Sequence, residues 1–230
     1  MKKKIFLTLG ILLLGFILQT CSQKPEQNLL KRYFHALALK DLTTLATMAL
    51  EPVELSAENW QIINISEEKI EPASLPDLNK KELELKKKVE DSVGITLDAR
   101  DELDNAKFEL ENARTRAAKR AAQKKVDEFQ AKYDEIYNNH KQLQKEYNEA
   151  KAAAAREEDI TLFSLGAGEL PNVRDFKGNV HSKQVDVAIV EPSGAKKNFR
   201  FDLRKYDLQD EAADLHRRGR WIIVKIESIS

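Results

Sequence analysis

The N-terminal part of the chain, beyond its first 23 residues, has apolar positions spaced first as in helices and then as in a strand. Residues 24–36 carry apolar side chains at intervals of one, three and four, which predicts an amphipathic helix with one buried stripe. That stripe consists of Leu29, Leu30, Tyr33, Phe34 and Leu37. Asp41 is placed to cap a second short helix. Residues 53–65 are predicted to be extended, and Pro72 and Pro76 mark a linker.

The middle of the chain, residues 77–158, has the composition of a long helix or coiled coil. It contains no proline and one glycine, Gly94. Apolar or small residues recur there in a 3–4 alternation, and the step from Ala117 to Ala122 breaks the phase. The two resulting series are Ala99, Leu103, Ala106, Leu110, Ala113, Ala117 and Ala122, Val126, Phe129, Tyr133, Ile136, His140, Leu143, Tyr147, Ala150, Ala154. Two heptad registers of this length predict coiled-coil packing.

Beyond this segment the apolar period becomes two residues. Residues 160–165 form a short apolar run that opens the C-terminal region. Two alternating segments then predict antiparallel strands with one buried face; they carry Val185, Val187, Ile189 and Phe199, Phe201, Leu203. Pro192-Ser193-Gly194 is placed between them as a hairpin connection. Residues 207–216 are predicted to be a polar connection or short helix, and residues 221–226 a last apolar strand.

The two flanks restrict how the middle segment can fold. One unbroken helix of about 80 residues would span about 120 Å and could not return to the same domain. A hairpin of two arms, bent near residues 112–123, does return and would place Leu110 near Val126 and Leu103 near Tyr133. Gly94 and Asn138-Asn139 offer other breaks. An extended helix exchanged between chains, or a bundle of three segments, therefore stays an alternative.

Two short motifs resemble the NTF2-like superfamily, whose members are cone-shaped α+β domains. They are Tyr33-Phe34-His35-Ala36-Leu37-Ala38-Leu39-Lys40-Asp41 and the terminal Gly219-Arg220-Trp221-Ile222-Ile223. The resemblance implies an α+β fold in which N-terminal helices lie on a curved antiparallel sheet, here interrupted by a long helical hairpin or coiled coil. Residues 21–76 would form the first part of that domain, residues 77–158 the insertion, and residues 159–230 the sheet that completes the domain.

The first 21 residues have the three parts of a secretory signal. Three lysines at positions 2–4 precede a mostly apolar run at residues 5–18, which is shorter than the ~20 residues of a membrane-spanning helix. Leu18-Gln19-Thr20-Cys21 resembles the lipobox of bacterial lipoproteins, which implies removal of residues 1–20 and a lipid anchor on Cys21, the only cysteine. Ser22 favours the outer membrane in a Gram-negative cell. A plain signal peptide or an uncleaved anchor is the alternative.

Charge is balanced over the whole chain and uneven along it. There are 38 basic and 38 acidic residues, and removal of residues 1–20 leaves 35 basic residues and a net charge of −3. That balance argues against nucleic acid as a partner. A basic run without any acid contains Arg114, Arg116, Lys119, Arg120, Lys124 and Lys125, and residues 98–111 ahead of it are acidic. Either these blocks set helix pairing, or the bend presents a cationic tip to an anionic partner.

No arrangement of residues predicts catalysis, a metal site or a cofactor. The four histidines match no metal-ligand spacing, and the glycine pattern of a nucleophile elbow is absent. Some NTF2-like enzymes use a carboxylate and a tyrosine inside the cone, and Tyr33, Trp60 and Tyr206 could line such a pocket here.

The sequence thus favours a non-catalytic envelope lipoprotein that contacts a protein partner, or associates with itself, through residues 77–158. A small-ligand-binding or enzymatic domain that uses the cone is the alternative. A further possibility is that the arm is purely architectural and closes a dimer.

Overall fold

The computed structural model describes residues 24–211 and 213–229. The predicted signal segment and Cys21 lie outside these residues. The chain is α+β, with a curled antiparallel sheet and a long helical region, as the sequence predicts. In chain order the elements are α1 (Pro25–Ala38), α2 (Leu42–Ala46), β1 (Asn59–Ile65), β2 (Lys69–Pro72), α3 (Leu75–Asn112), α4 (Arg116–Leu165), a 3-10 helix (Val173–Asp175), β3 (Lys177–Val190), β4 (Lys196–Asp210), β5 (Leu215–Arg218) and β6 (Ile222–Ile229).

The described residues form two compact units. The first contains residues 24–67, 182–204 and 221–229, and the second contains residues 68–181 and 205–220. The long strands β3 and β4 contribute residues to both.

The core of the first unit is built on the predicted stripe of α1. Leu30, Tyr33 and Phe34 are buried together with side chains of β3, β4 and β6. The Tyr33 and Phe34 rings meet edge to face, with 5.8 Å between their centroids, and each packs against Phe201. Asp41 caps α2, as predicted, because its Oδ1 accepts a hydrogen bond of 3.0 Å from the Thr44 amide.

The strands of the first unit pair antiparallel and follow the predicted alternation. β1 pairs with β3, so that Trp60 is opposite Ile189 and Ile62 opposite Val187. β6 pairs with β4, with Phe201 opposite Ile226. The predicted hairpin connection between β3 and β4 is confirmed: the Gly194 amide donates to the Glu191 carbonyl at 2.8 Å. Gly194 adopts φ 83°, which glycine tolerates better than other residues.

The second unit contains the helical arm, which we define as residues 75–165. Helices α3 and α4 pack against each other as an intramolecular hairpin. Lys125 contacts Glu109 at 2.7 Å and Lys132 contacts Glu102 at 2.5 Å. These ion pairs are one residue away from the predicted Leu110–Val126 and Leu103–Tyr133 contacts. Each arm of the hairpin is continuous through the proposed alternative breaks at Gly94 and Asn138-Asn139.

The helical arm is longer at both ends than the predicted segment 77–158. Pro76 lies in the first turn of α3 rather than in a linker. Proline fits there because the amides of the first turn have no hydrogen-bond partner within the helix, so the missing amide hydrogen costs nothing. Residues 160–165 continue α4 instead of opening the sheet. Ile160 and Ser164 are buried one helical turn apart, and Gly166 ends the helix at φ 65°.

The prediction for residues 207–216 is also wrong in part. β4 continues to Asp210, and β5 pairs with it after a short turn, so that Leu208 is opposite Arg217. β2 was not predicted, because all four of its residues are exposed and show no apolar alternation.

Candidate interaction surfaces of the helical arm

The turn at the tip of the helical arm is made without glycine or proline. The Asn112 side-chain amide donates to the Phe108 carbonyl at 2.8 Å near the end of α3. Ala113 is extended, and Thr115 starts α4 because its Oγ1 accepts the Ala118 amide at 3.1 Å. Thr115 is the N-cap signal that identifies the turn in the sequence.

This turn brings the predicted basic residues together at one end of the arm. We call them the tip cluster: Arg114, Arg116, Lys119, Arg120, Lys124 and Lys125. All six are exposed. Lys125 pairs with Glu109, and Lys124 lies 3.8 Å from Glu128. Within the described residues, no ion pair involves the four others. A groove of about 460 Å³ beside the cluster is lined by Ala113, Ala118, Ala121 and Lys125 among others.

The side of α3 that faces away from α4 carries apolar side chains among charged ones. Four large apolar side chains are exposed along it: Leu83, Val93, Leu97 and Phe108. At 100° per residue they lie within about 80° of one another, roughly 150° from the residues of α3 buried against α4. The sequence interpretation missed this stripe because the stronger 3–4 series of the α4-facing side dominates the pattern.

An ion cluster that the sequence did not reveal joins both helices to the 3-10 helix at the base of the arm. The Arg174 guanidinium contacts Glu82 at 2.7 Å and Glu158 at 2.8 Å. Desolvation lowers the pKa of Arg174, but hydrogen bonds and charges from Glu158 and Glu82 outweigh it and raise the pKa above the ordinary value. Its partners are 92 and 16 residues away in the chain, so no local signal could identify them.

The three residues predicted to line a pocket lie in two different units. In the first unit Tyr33 is fully buried, its hydroxyl donates to the Val53 carbonyl at 3.3 Å, and burial raises its pKa. Trp60 stacks on Phe34 with 4.5 Å between ring centroids. Tyr206 belongs to the second unit, where its hydroxyl donates to the buried Glu157 carboxylate at 2.7 Å. The packed core of the first unit thus brings Tyr33 and Trp60 together through Phe34.

The first unit also has a mostly apolar groove of about 530 Å³ beyond the end of α1. Its lining residues include Leu37, Leu42, Val53 and Leu55, together with Lys40. Neither Tyr33 nor Trp60 lines it.

Three of the four histidines each have a separate polar neighbour. His140 Nδ1 lies 2.7 Å from Ser92 Oγ, His181 is 2.6 Å from Glu68, and His216 contacts Asp207. Among residues 24–211 and 213–229, no three histidine, cysteine or acidic side chains are grouped as metal ligands would be. In the same part of the chain no helix has the length and apolarity needed to cross a membrane.

Comparisons with protein-family models, with curated proteins and with solved structures found no match to this chain.

Proposed function

We propose that this chain is a lipid-anchored protein of the bacterial cell envelope and acts as a non-catalytic interaction module whose arm binds an anionic partner. The tip cluster is the observation that carries this proposal. Six basic side chains share one end of the arm, and four of them form no ion pair within the described residues. Clustered cations of this kind raise the local concentration of anions and speed their association.

The structure of the arm gives a physical reason for placing a contact surface there. Each helix of the hairpin is tens of ångströms long, and α3 alone, with 38 residues, spans about 57 Å. Buried side chains of both helices, among them Leu85, Leu103 and Ala150, hold the hairpin together along its length, and the Arg174 cluster joins the helices at the base. A partner at the tip is therefore contacted by a rigid element rather than by a loose loop.

Reversing three charges of the tip cluster tests this proposal. The native chain, purified in a neutral detergent, should bind immobilised polyglutamate and an immobilised sulfated polysaccharide. Arg116→Glu/Lys119→Glu/Arg120→Glu should bind at least about tenfold more weakly, because each basic residue near an anionic surface contributes about 1 kcal/mol. Raising the salt from about 0.1 M to about 1 M should weaken the native binding, because the Debye length falls from about 10 Å to 3 Å.

The matched control changes the same net charge elsewhere on α4. Lys141→Glu/Lys145→Glu/Lys151→Glu alters three exposed lysines far from the tip. This control should keep most of the native affinity. Equal loss in both triple variants would mean that only net charge matters and would refute a binding surface at the tip.

The anchor on Cys21 has its own test. Cells that express the native chain are labelled with a palmitate analogue and compared with cells that express Cys21→Ser. We expect label on the native chain alone, since the thiol of Cys21 is the attachment point that the lipobox resemblance implies. An unlabelled native chain would remove the lipid anchor and the outer-membrane location from the proposal.

The first unit is proposed to be the NTF2-like part of the molecule. Support comes from α1 and α2 packing on antiparallel strands that include the last strand of the chain. The second candidate function is the binding of a small apolar ligand by this unit, which the groove beside Leu37 and Leu55 favours.

A further inference from the structure

Outward positions of α3 at heptad spacing include three residues of its apolar stripe, one glycine and four charged residues. Positions 83, 87, 90, 94, 97, 101, 104 and 108 follow one another at steps of four and three, which is the spacing of a coiled-coil seam. They are Leu83, Lys87, Glu90, Gly94, Leu97, Asp101, Asp104 and Phe108, and all eight are exposed. We call these eight exposed positions the second seam, to distinguish them from the residues of α3 that pack against α4.

Gly94 lies in the middle of this second seam. Glycine inside a helix costs about 1 kcal/mol relative to alanine. Nothing within 4 Å of a Cβ placed at Gly94 explains the absence of a side chain there. A second helix that approaches the seam closely would explain it, since glycine leaves room for a large residue of that helix.

When the seam is paired with itself antiparallel, two of its four kinds of layer join apolar or small residues and one joins opposite charges. If residue 83 is set opposite residue 108 of another copy, Leu83 meets Phe108 and Gly94 meets Leu97. In this register Lys87 meets Asp104. Each layer then joins one a and one d position, and each contact occurs twice around a two-fold axis between residues 95 and 96.

Charge along α3 fits the same antiparallel register. Residues 80–88 contain five lysines and two glutamates, whereas residues 98–111 contain six acidic and two basic residues. Antiparallel pairing sets the basic half of one helix beside the acidic half of the other, but parallel pairing would set like halves together. One layer places two acidic residues, Glu90 and Asp101, opposite each other. Lys86, 4.0 Å from Glu90, and Arg100 flank this layer with positive charge.

We propose that the outward face of α3 is a self-association surface, on which a second copy of this chain packs its own α3 antiparallel in this register. The contact goes beyond the proposed function and does not depend on the tip cluster. It would place two tips at opposite ends of one dimer.

Cysteine cross-linking of the full chain in bacterial cells tests the register. Two differently tagged copies, one with Leu83→Cys and one with Phe108→Cys, are co-expressed and treated with a short bismaleimide. We expect a cross-linked product that carries both tags. Either variant alone should give no more product than the native chain, which reports the background from Cys21, because residues 83 of the two copies would be about 37 Å apart. A product from Leu83→Cys alone, or none from the mixed pair, would overturn the proposal.

Aspartate substitutions at two equally exposed positions provide the second measurement. Leu97 is 54% exposed and on the seam, whereas Ile95 is 56% exposed and on another side of α3. Sedimentation of the detergent-purified chain should show Leu97→Asp dimerising at least about tenfold more weakly, since the change is counted twice at a two-fold contact. Ile95→Asp should change dimerisation less than about twofold. Equal behaviour of the two variants would contradict the assigned face.

A charge exchange separates this contact from general loss of helix. Lys87→Glu should weaken dimerisation because Asp104 of the other copy then faces a like charge. The double variant Lys87→Glu/Asp104→Lys restores an opposite pair and should recover most of the loss. Failure of the double variant to recover would oppose the register. Binding of polyglutamate by the tip cluster should be unchanged throughout, so failure of one proposal does not imply failure of the other.

Discussion

Replacing Gly178 with alanine will lower the free energy of unfolding of the second unit by about 3–5 kcal/mol. Gly178 has φ 146°, a conformation that residues with a side chain rarely adopt. A Cβ there would overlap the Asp207 carbonyl oxygen and lie 2.9 Å from the Leu208 Cα. Both contacts are backbone atoms of β4, so the strain cannot be relieved by a side-chain rotation. Urea unfolding followed by far-UV circular dichroism, whose signal comes mostly from α3 and α4, measures the loss.

Two other glycines provide graded controls for this result. Gly166, also in the second unit, has φ 65° but open space around it, so alanine there should cost only the conformational part, about 1 kcal/mol. Gly168 has neither a positive φ nor a close neighbour, and alanine there should change the unfolding midpoint little. If Gly178→Ala unfolded at the same urea concentration as Gly168→Ala, the close approach of β3 to β4 would be wrong.

Replacing Arg174 with glutamine will destabilise the base of the arm by about 2–3 kcal/mol near neutral pH. The guanidinium lies between two carboxylates, and Glu82 is buried. Removal of the cation leaves those carboxylates close to each other with no opposite charge, which costs more than the loss of the hydrogen bonds alone. The partial exposure of Arg174 and Glu158 keeps the effect below that of a fully buried pair.

A neutral version of the cluster is the control for Arg174→Gln. The triple variant Arg174→Gln/Glu82→Gln/Glu158→Gln has no uncompensated charge and should regain at least about half of the lost stability. Thermal unfolding of the three proteins at one pH is sufficient for the comparison. A triple variant no more stable than the single variant would show that shape or hydrogen bonding, rather than charge, makes Arg174 important.

The parts of the fold that could be predicted are those whose signal is local and periodic. The stripe of α1, the alternation around Val187 and Phe201, and the two heptad series each repeat over several residues, so burial of one face follows directly from spacing. The hairpin was predicted from a break in heptad phase. The turn itself carries no glycine, and its real signal is the capping hydroxyl of Thr115.

The features that could not be predicted depend on contacts between distant residues. The apolar pattern of residues 160–165 fits either a short strand or the end of a helix. Thr161 and Ser164 are both buried within the second unit, and this burial favours the helix. The basic residues of the tip cluster lie close together in the sequence, so the sequence alone predicts the cluster. Arg174 and Glu157 acquire their partners only through tertiary structure, and the placement of Tyr33 and Tyr206 in separate units likewise follows from no local spacing.

The hairpin also bears on how the sheet of the first unit assembles. Ile62 of β1 pairs with Val187 of β3, a contact between residues about 125 positions apart. Closing an open loop of that length is entropically costly, and the cost grows with the logarithm of loop length. Helical contacts within the arm are local and form early, on the microsecond scale of helix formation. Once α3 and α4 have packed against each other, the two ends of the arm are already close. The remaining loop, made of the segments from Ile62 to Leu75 and from Leu165 to Val187, behaves as one of roughly 35 residues, which reduces the closure cost by about 1 kcal/mol. The arm would then speed the pairing of strands that lie far apart in the chain.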